Sequence, residues 1–532
     1  MPVNRTTGGD EEFQIPPLTT SPITGMQGAV NWGGLNKFNI ASRQIISDVE
    51  ADELINWVPQ LSAFQQVPSP SGIIGSLPAG ITTIWAYTDI LNGNLYTFIL
   101  CSDSHIRQMD TSGVMTDVGS GFGPACDIAN WQATQMMITD PSQSKIFSWN
   151  GTTLGTVFSG QPAEHIAVYS NRLWLSHGLD LTWTNANTNN SFSGDSGTFV
   201  ITEGRCANPI IALRDYNGSL YVFGSNWIKT LYNLQPLTVA GITTLSFQQP
   251  TLETQVGPIN KWSITEYGGM LFFANVFGFW VINGSFPSKI SNALDGFFQG
   301  LDLANCSWSC TWGIVLQMPC VFWACRWTGD NNWTVFGYTI NQQWFRIIPQ
   351  TGSGTGVLKW VCGSISSALN NNRPITYYSD GTNFYDLFGG SANVTSTFNT
   401  KIWDFYSKLT YDWFTNAAIQ LVLTEPATLT VCEVNSTGVI CGPGQSPASC
   451  ITQNYNVDLG DWFNSLGTIG VWVNASGVTG HWLGISGFTY LLAQFVVPFQ
   501  ERGMGLNITL SSSNAVLQAI VISFRKMMQS KG

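Results

Sequence analysis

Apolar and polar residues alternate at period two through most of the chain, broken by turns rich in Asn and Gly, and this pattern predicts strands rather than helices. One theme recurs: a turn of Asn or Gly, then Leu or Met, then an alternating apolar run. It reads Asn92-Gly93-Asn94-Leu95-Tyr96-Thr97-Phe98, Asn171-Arg172-Leu173-Trp174-Leu175, Asn217-Gly218-Ser219-Leu220-Tyr221-Val222-Phe223 and Gly268-Gly269-Met270-Leu271-Phe272-Phe273. The steps from Asn171 to Asn217 and on to Gly268 are 46 and 51 residues, close to the ~40–50 of one four-stranded propeller blade. The 79 residues between Asn92 and Asn171 hold two such units. A following strand and hairpin turn repeats as well, at 106–113 and 146–151, whose glycines lie 38 residues apart, then at 280–284, 333–341 and 377–385. Asn-Gly and Asp-Gly between alternating runs are strong hairpin signals. The count predicts a β-propeller of six or seven blades. A single blade leaves both faces open, whereas a closed ring of blades covers them all.

The pattern changes at both ends. Residues 1–80 are rich in Pro, Gly, Ser and Thr and predict an extended N-terminal arm with at most one short helix, starting at a Ser47–Glu50 capping box. Residues 81–400 carry the propeller theme. From 401 to 532 the strands lengthen, as at 419–423, 506–511 and 517–524, and predict a separate β-sandwich-like domain. The fold expected is therefore all-β throughout.

Charge narrows the partners. Only 10% of residues are charged, against ~25% in typical domains, and the net charge is −11. Such a chain lacks the clustered Lys and Arg that grip phosphates, although an acidic channel wall would let a duplex slide past. Neither a secretory signal at the N-terminus nor a membrane span is expected, the longest apolar window being 270–282.

Candidate chemistry is sparse. Phosphate loops, Gly-x-Ser-x-Gly elbows and His-Glu-x-x-His are absent from the sequence, and His105, His165, His177 and His481 lack metal-ligand spacing. Cys306, Cys310, Cys320 and Cys325 cluster without the tight knuckles of zinc sites, so packed strand thiols are favoured over metal. Cys432, Cys441 and Cys450 are read as free thiols in preference to a disulfide. The stretch 193–199, Ser-Gly-Asp-Ser-Gly-Thr-Phe, comes near an Asp-box, a structural turn of propeller hairpins. No catalytic, cofactor or metal residue is assigned. Asn-x-Ser/Thr sequons at Asn150, Asn217, Asn332, Asn474 and Asn507 are chance products of the composition.

Three stretches resemble the tail hub or nozzle family of short-tailed bacteriophages, also called packaged-DNA stabilisation or tail tubular proteins. They are Asn56-Trp57-Val58-Pro59 with the Pro-Gly segment 67–73; 167–176 (Ala-Val-Tyr-Ser-Asn-Arg-Leu-Trp-Leu-Ser) with 180–185 and Phe192-Ser193; and 211–224 (Ile-Ala-Leu-Arg-Asp-Tyr-Asn-Gly-Ser-Leu-Tyr-Val-Phe-Gly) with 227–231. The resemblance covers residues 50–300, and more weakly Arg502-Gly503-Met504-Gly505. It implies a non-enzymatic virion protein, assembled in the host cytoplasm, whose subunits form a ring, expected to be a hexamer, below the portal and adaptor. Tail fibre, tailspike or needle proteins would be further neighbours. Genomic DNA would pass through the lumen without sequence-specific binding, and the subunit would not insert in a membrane. A glycan-binding or glycan-hydrolysing propeller is the alternative, since aromatic-rich propellers stack on sugars.

Overall fold

A computed structural model describes residues 34–35, 50–60, 63–253, 255–284, 286–298, 308–326, 333–351, 354–355, 360–362, 375–400, 411–423, 427–435, 438–439, 450–455, 462–463, 469–470, 472–473, 479–480, 488–493, 505–513 and 515–527. The chain is all-β. Helix among the described residues is confined to Asp295–Phe298 and the 3-10 turns Lys261–Ser263 and Asn292–Leu294. Two compact units form, one of Pro70–Gln342 with Ile348–Gly390, the other of Met1–Ser69, Gln343–Ile347 and Ser391–Gly532.

The first unit is a succession of antiparallel sheets, each made by the chain turning back on itself. The first sheet has strands Thr83–Leu91, Asn94–Cys101, His105–Met109 and Met115–Ser120. The second has Asp127–Trp131, Gln135–Asp140, Lys145–Trp149 and Leu154–Ser159. The third has His165–Tyr169, Arg172–His177, Asp180–Trp183 and Gly197–Val200. Ile210–Tyr216, Ser219–Gly224, Ile228–Val239 and Ile242–Gln248 build the fourth, with Thr251–Glu253 added beside Ile228–Val239. Ile264–Tyr267, Met270–Asn275, Gly278–Ile282 and Ser288–Lys289 build the fifth. The sixth contains Ser309–Val315, Met318–Arg326 and Trp333–Thr339. The seventh contains Trp360–Cys362, Tyr377–Ser379, Asn383–Asp386 and, from the start of the unit, Gly75–Ser76.

Every copy of the recurrent theme falls on the second strand of a sheet, and its Asn or Gly forms the turn that returns from the first. These turns demand positive φ: Asn92, Asn171 and Asn217 lie at +52°, +52° and +48°, a region that Asn tolerates better than most residues. The window 270–282 is two strands, Met270–Asn275 and Gly278–Ile282, paired across a turn at Val276-Phe277.

First strands neighbour one another in order. Thr83–Leu91 meets Asp127–Trp131, which meets His165–Tyr169, which meets Ile210–Tyr216. Ile210–Tyr216 meets the turn Lys261–Ser263 leading into the fifth sheet, Ile264–Tyr267 meets Ser309–Val315, and Trp360–Cys362 touches both Ser309–Val315 and Thr83–Leu91. The ring is closed. Its core lies between successive sheets: Phe98, Ile106, Met136 and Trp149 between the first and second, Met137, Ile146, Ile166 and Leu173 between the second and third, Trp174, Trp183, Leu220 and Trp227 between the third and fourth, and Tyr221, Phe223, Leu271 and Phe273 between the fourth and fifth. Burial of one such side chain contributes about 1.5–3 kcal/mol.

The other unit contains two antiparallel arrays. In one, Tyr411–Leu423 and Ala515–Met527 form a long pair flanked by Phe488–Ala493 and by Phe64–Gln66. In the other, Glu50–Ile55, Val394–Thr400, Gly505–Ser512 and Ala427–Asn435 pair in turn. Gln66 ties the arrays by donating to the Val394 carbonyl and accepting from the Ala515 amide.

Two expectations need correcting here. Glu50 does not belong to a helix start but opens the strand Glu50–Ile55, because Ala51, Leu54 and Ile55 find pairing partners in Val394–Thr400; Ser47 lies outside the described residues. Cys432 is disulfide-bonded rather than a free thiol. Its strand pairs with Cys450–Tyr455, Cys432 standing opposite Cys450 in the backbone register. Cys441 lies outside the described residues.

Candidate functional site: an axial pit in the sheet ring

First strands of the first six sheets surround a cavity of ≈ 360 Å³. Tyr87, Asn130, Val168, Arg214, Thr265 and Trp312 are among its lining residues, one from each sheet.

The end at which these strands begin is closed by one turn. Asn260 caps the 3-10 turn Lys261–Ser263, accepting from the Ser263 amide at 2.9 Å, and sends Lys261 and Trp262 into the ring. Lys261 Nζ donates to the Cys126 carbonyl at 2.6 Å and lies 3.2 Å from Asp127 Oδ1 in the second sheet. Trp262 stacks on Trp85 of the first sheet at 4.9 Å. Arg214 Nη2 donates to the Lys261 carbonyl at 2.8 Å. The Asp127 carboxylate also accepts from the amides of Ile128 and Ile166, and His165 Nδ1 stands 3.5 Å away. Burial pushes the Asp127 carboxyl up, but Lys261, His165 and Arg214 outweigh it and hold it below the usual carboxylate range. One buried ion pair therefore fastens together sheets that are three places apart in the ring.

At the opposite end of the strands lie Asp89, Asp215 and Glu266. Asp89 accepts from the Tyr87 hydroxyl at 2.5 Å. Burial raises both Asp215 and Glu266, and the charge of Glu266 raises Asp215 further. Neighbouring sheets are tied at this same end by a repeated device: Tyr169 donates to the Gly218 carbonyl at 2.8 Å and Tyr216 to the Gly269 carbonyl at 2.5 Å. Asn130 likewise donates to the Ile90 carbonyl at 2.7 Å.

The residues singled out in the sequence are not gathered here, with two exceptions. His165 stands beside Asp127, and Cys310 is in the pit wall, where burial pushes its thiol well up and away from the reactive thiolate. Cys310 opposes Trp323 and Cys320 opposes Gly313, so strand alternation puts these two cysteines on opposite faces of one sheet, unable to share an ion. Cys306 lies outside the described residues, and Cys325 is buried. His105 pairs with Asp117 at 2.9 Å and His177 with Glu164 at 3.5 Å, while His481 lies outside the described residues. No group of three or more potential metal ligands occurs among the described residues.

Of the stretch 193–199, residues 193–196 turn into the strand that begins at Gly197. Asp195 ion-pairs with Arg172 and accepts from the Ala186 amide, and Trp183 Nε1 donates to the Asp195 carbonyl at 3.0 Å. Arg172 belongs to the recurrent theme, so the ion pair joins two motifs that the sequence shows separately.

The pit-closing turn was not found from sequence, because Lys261 and Asp127 are far apart in the chain and neither carries a motif. The tyrosine ties did leave a signal. Tyr169, Tyr216 and Tyr267 each end a first strand, at spacings of 47 and 51 residues, in phase with the recurrent theme.

No family model and no curated protein matches the chain. Among solved structures, it is similar to a chain of a nidogen/laminin complex, with 13% identity over 42% of this chain and 86% of that one, at a TM-score of 0.27. It is also similar to a chain of BBS1N in complex with ARL6DN, with 12% identity over 62% of this chain and 97% of that one, at a TM-score of 0.35. No helix among the described residues is long and apolar enough to cross a membrane.

Proposed function

We propose that the ring is a seven-bladed β-propeller, closed where Gly75–Ser76 pairs with Asn383-Phe384, and that the chain is a tail hub subunit of a short-tailed bacteriophage. Six copies form a ring below the portal and adaptor, contact further tail proteins, and enclose the genome exit path. The protein is structural, without catalysis or cofactor, and the second unit acts as a sandwich-like accessory domain.

The observation that carries this reading is where the family-like stretches fall. Residues 167–176 build the first hairpin of the third sheet and residues 211–224 that of the fourth, two consecutive units of a closed ring. Lys261 and Trp262 occupy the subunit's own axis, so DNA would travel through a lumen between subunits, whose acidic wall would let a duplex slide past.

The glycan-binding alternative draws on Tyr87, Trp262 and Trp312 in a pit that also holds Asp215 and Glu266. Mass photometry and negative-stain imaging of the purified protein, with and without a portal–adaptor complex, separate the two. A six-fold ring supports the hub; a persistent monomer that ignores the portal and binds glycans overturns it.

A further inference from the structure

We infer that the outer strand of the fourth sheet, Ile242–Gln248, is an assembly edge that pairs with an extended segment of a second copy of this chain. The inference rests on the ring reading above and names the element through which copies join.

Outer strands of a sheet expose unpaired N–H and C=O groups, and proteins that remain single blunt them with bulges, charges, Pro or short length. The first, second, third and fifth sheets each do so. Met115–Ser120 carries Asp117 and an extra residue against Ile106-Arg107. Leu154–Ser159 has an extra residue against Ile146-Phe147. Gly197–Val200 is four residues long and Ser288–Lys289 two.

The fourth sheet differs. Ile242–Gln248 is seven residues long, has no Pro and no charge, and no strand pairs with its outer edge among the described residues. Its partner strand Ile228–Val239 is guarded on the other side: Pro236 removes a donor, and the register shift between Tyr232 and Gln235 is absorbed on that strand, with Asn233 at φ +56°. One edge of the hairpin is thus defended and the other left open. The open strand is held in place by Leu245, 8% exposed, and by Phe247, whose ring lies 5.5–6.2 Å from those of Phe199, Trp183 and Trp174. Tyr232 and Leu237 on the same hairpin are 36% and 45% exposed.

A second copy is the occupant that the charge pattern favours. Two chains of net charge −11 repel, so contact between them is least costly at an uncharged stretch, and Thr230 to Leu252 contains no Asp, Glu, Lys, Arg or His. Backbone pairing also needs no complementary side-chain pocket.

The test is the full chain carrying Thr244→Lys and Ser246→Lys, two positions on the face opposite Leu245 and Phe247. Mass photometry is read with hydrogen exchange at the Ile242–Gln248 amides, and circular dichroism checks the fold. Wild type is expected to form multiples of 58.2 kDa with these amides slowed about tenfold or more, and the folded double variant to remain at one chain. A double variant that assembles like wild type, with fast exchange at this edge in both, overturns the inference and leaves the hub reading standing. Protection that appears when portal and adaptor are added while the copies bound there do not touch one another in electron-microscopy images makes another protein the occupant and also overturns it. Wild type that stays monomeric with and without portal and adaptor, the edge unprotected, overturns both.

Discussion

Lys261 Nζ lies 3.2 Å from Asp127 Oδ1, a contact that reaches from the lead-in of the fifth sheet to the first strand of the second. Asp127 is 1% exposed and Lys261 8% at the side chain, so the Lys261 ammonium is compensated by Asp127, and Asp127 by Lys261 first and by His165 and Arg214 after it. Asp127→Asn is expected to cost about 3–5 kcal/mol, because it strands a buried ammonium. The double replacement Asp127→Leu with Lys261→Met, which removes both charges, is expected to lie closer to wild type. Urea unfolding of the three proteins checks the order.

The same pair makes stability depend on acid. The folded Asp127 carboxyl is held below its unfolded value, so its contribution is complete above the unfolded carboxylate pKa of about 3.9 and is lost as pH falls from there. The melting temperature of wild type is expected to drop below about pH 4, and this part of the drop to be missing from the double replacement. Thermal melts from pH 7 downwards measure it.

Tyr216 and Tyr169 tie neighbouring sheets through single hydroxyl donors to the carbonyls of Gly269 and Gly218. Tyr→Phe at either position is expected to cost about 0.5–1.5 kcal/mol. Hydrogen exchange should quicken at the turns Gly268-Gly269 or Asn217-Gly218 respectively, and a stability loss without such local change would contradict the assignment.

Gly197 faces Trp183 so closely that an added Cβ would come within 2.6 Å of the indole. Gly197→Ala is therefore expected to displace Trp183 from the Asp195 turn and to cost about 1–3 kcal/mol. Tryptophan fluorescence and chemical unfolding report both effects.

The recurrent Asn/Gly–Leu/Met theme was legible because it is local: strand alternation and a positive-φ turn are written in consecutive residues, and their spacing counts sheets. What the chain joins across distance was not. Glu50 looked like the end of a capping box, yet its strand is decided by Val394–Thr400, more than 300 residues away. The pit closure behaves alike, since Lys261 and Asp127 carry no motif and meet only once the ring has formed. Cys432 was misread because its register partner Cys450 stands on a different strand, and the spacing of cysteines along the chain sets no pairing. The ion pair of Asp195 with Arg172 stands between these cases: both residues were noted, in separate motifs, and the hairpin that unites them is local.

The most direct test of the hub account is the rotational symmetry of this protein bound to a portal–adaptor complex, read from electron-microscopy class averages. Six copies around one open lumen are predicted, each with its own axis closed. Single copies scattered on the complex, or no binding at all, would contradict it.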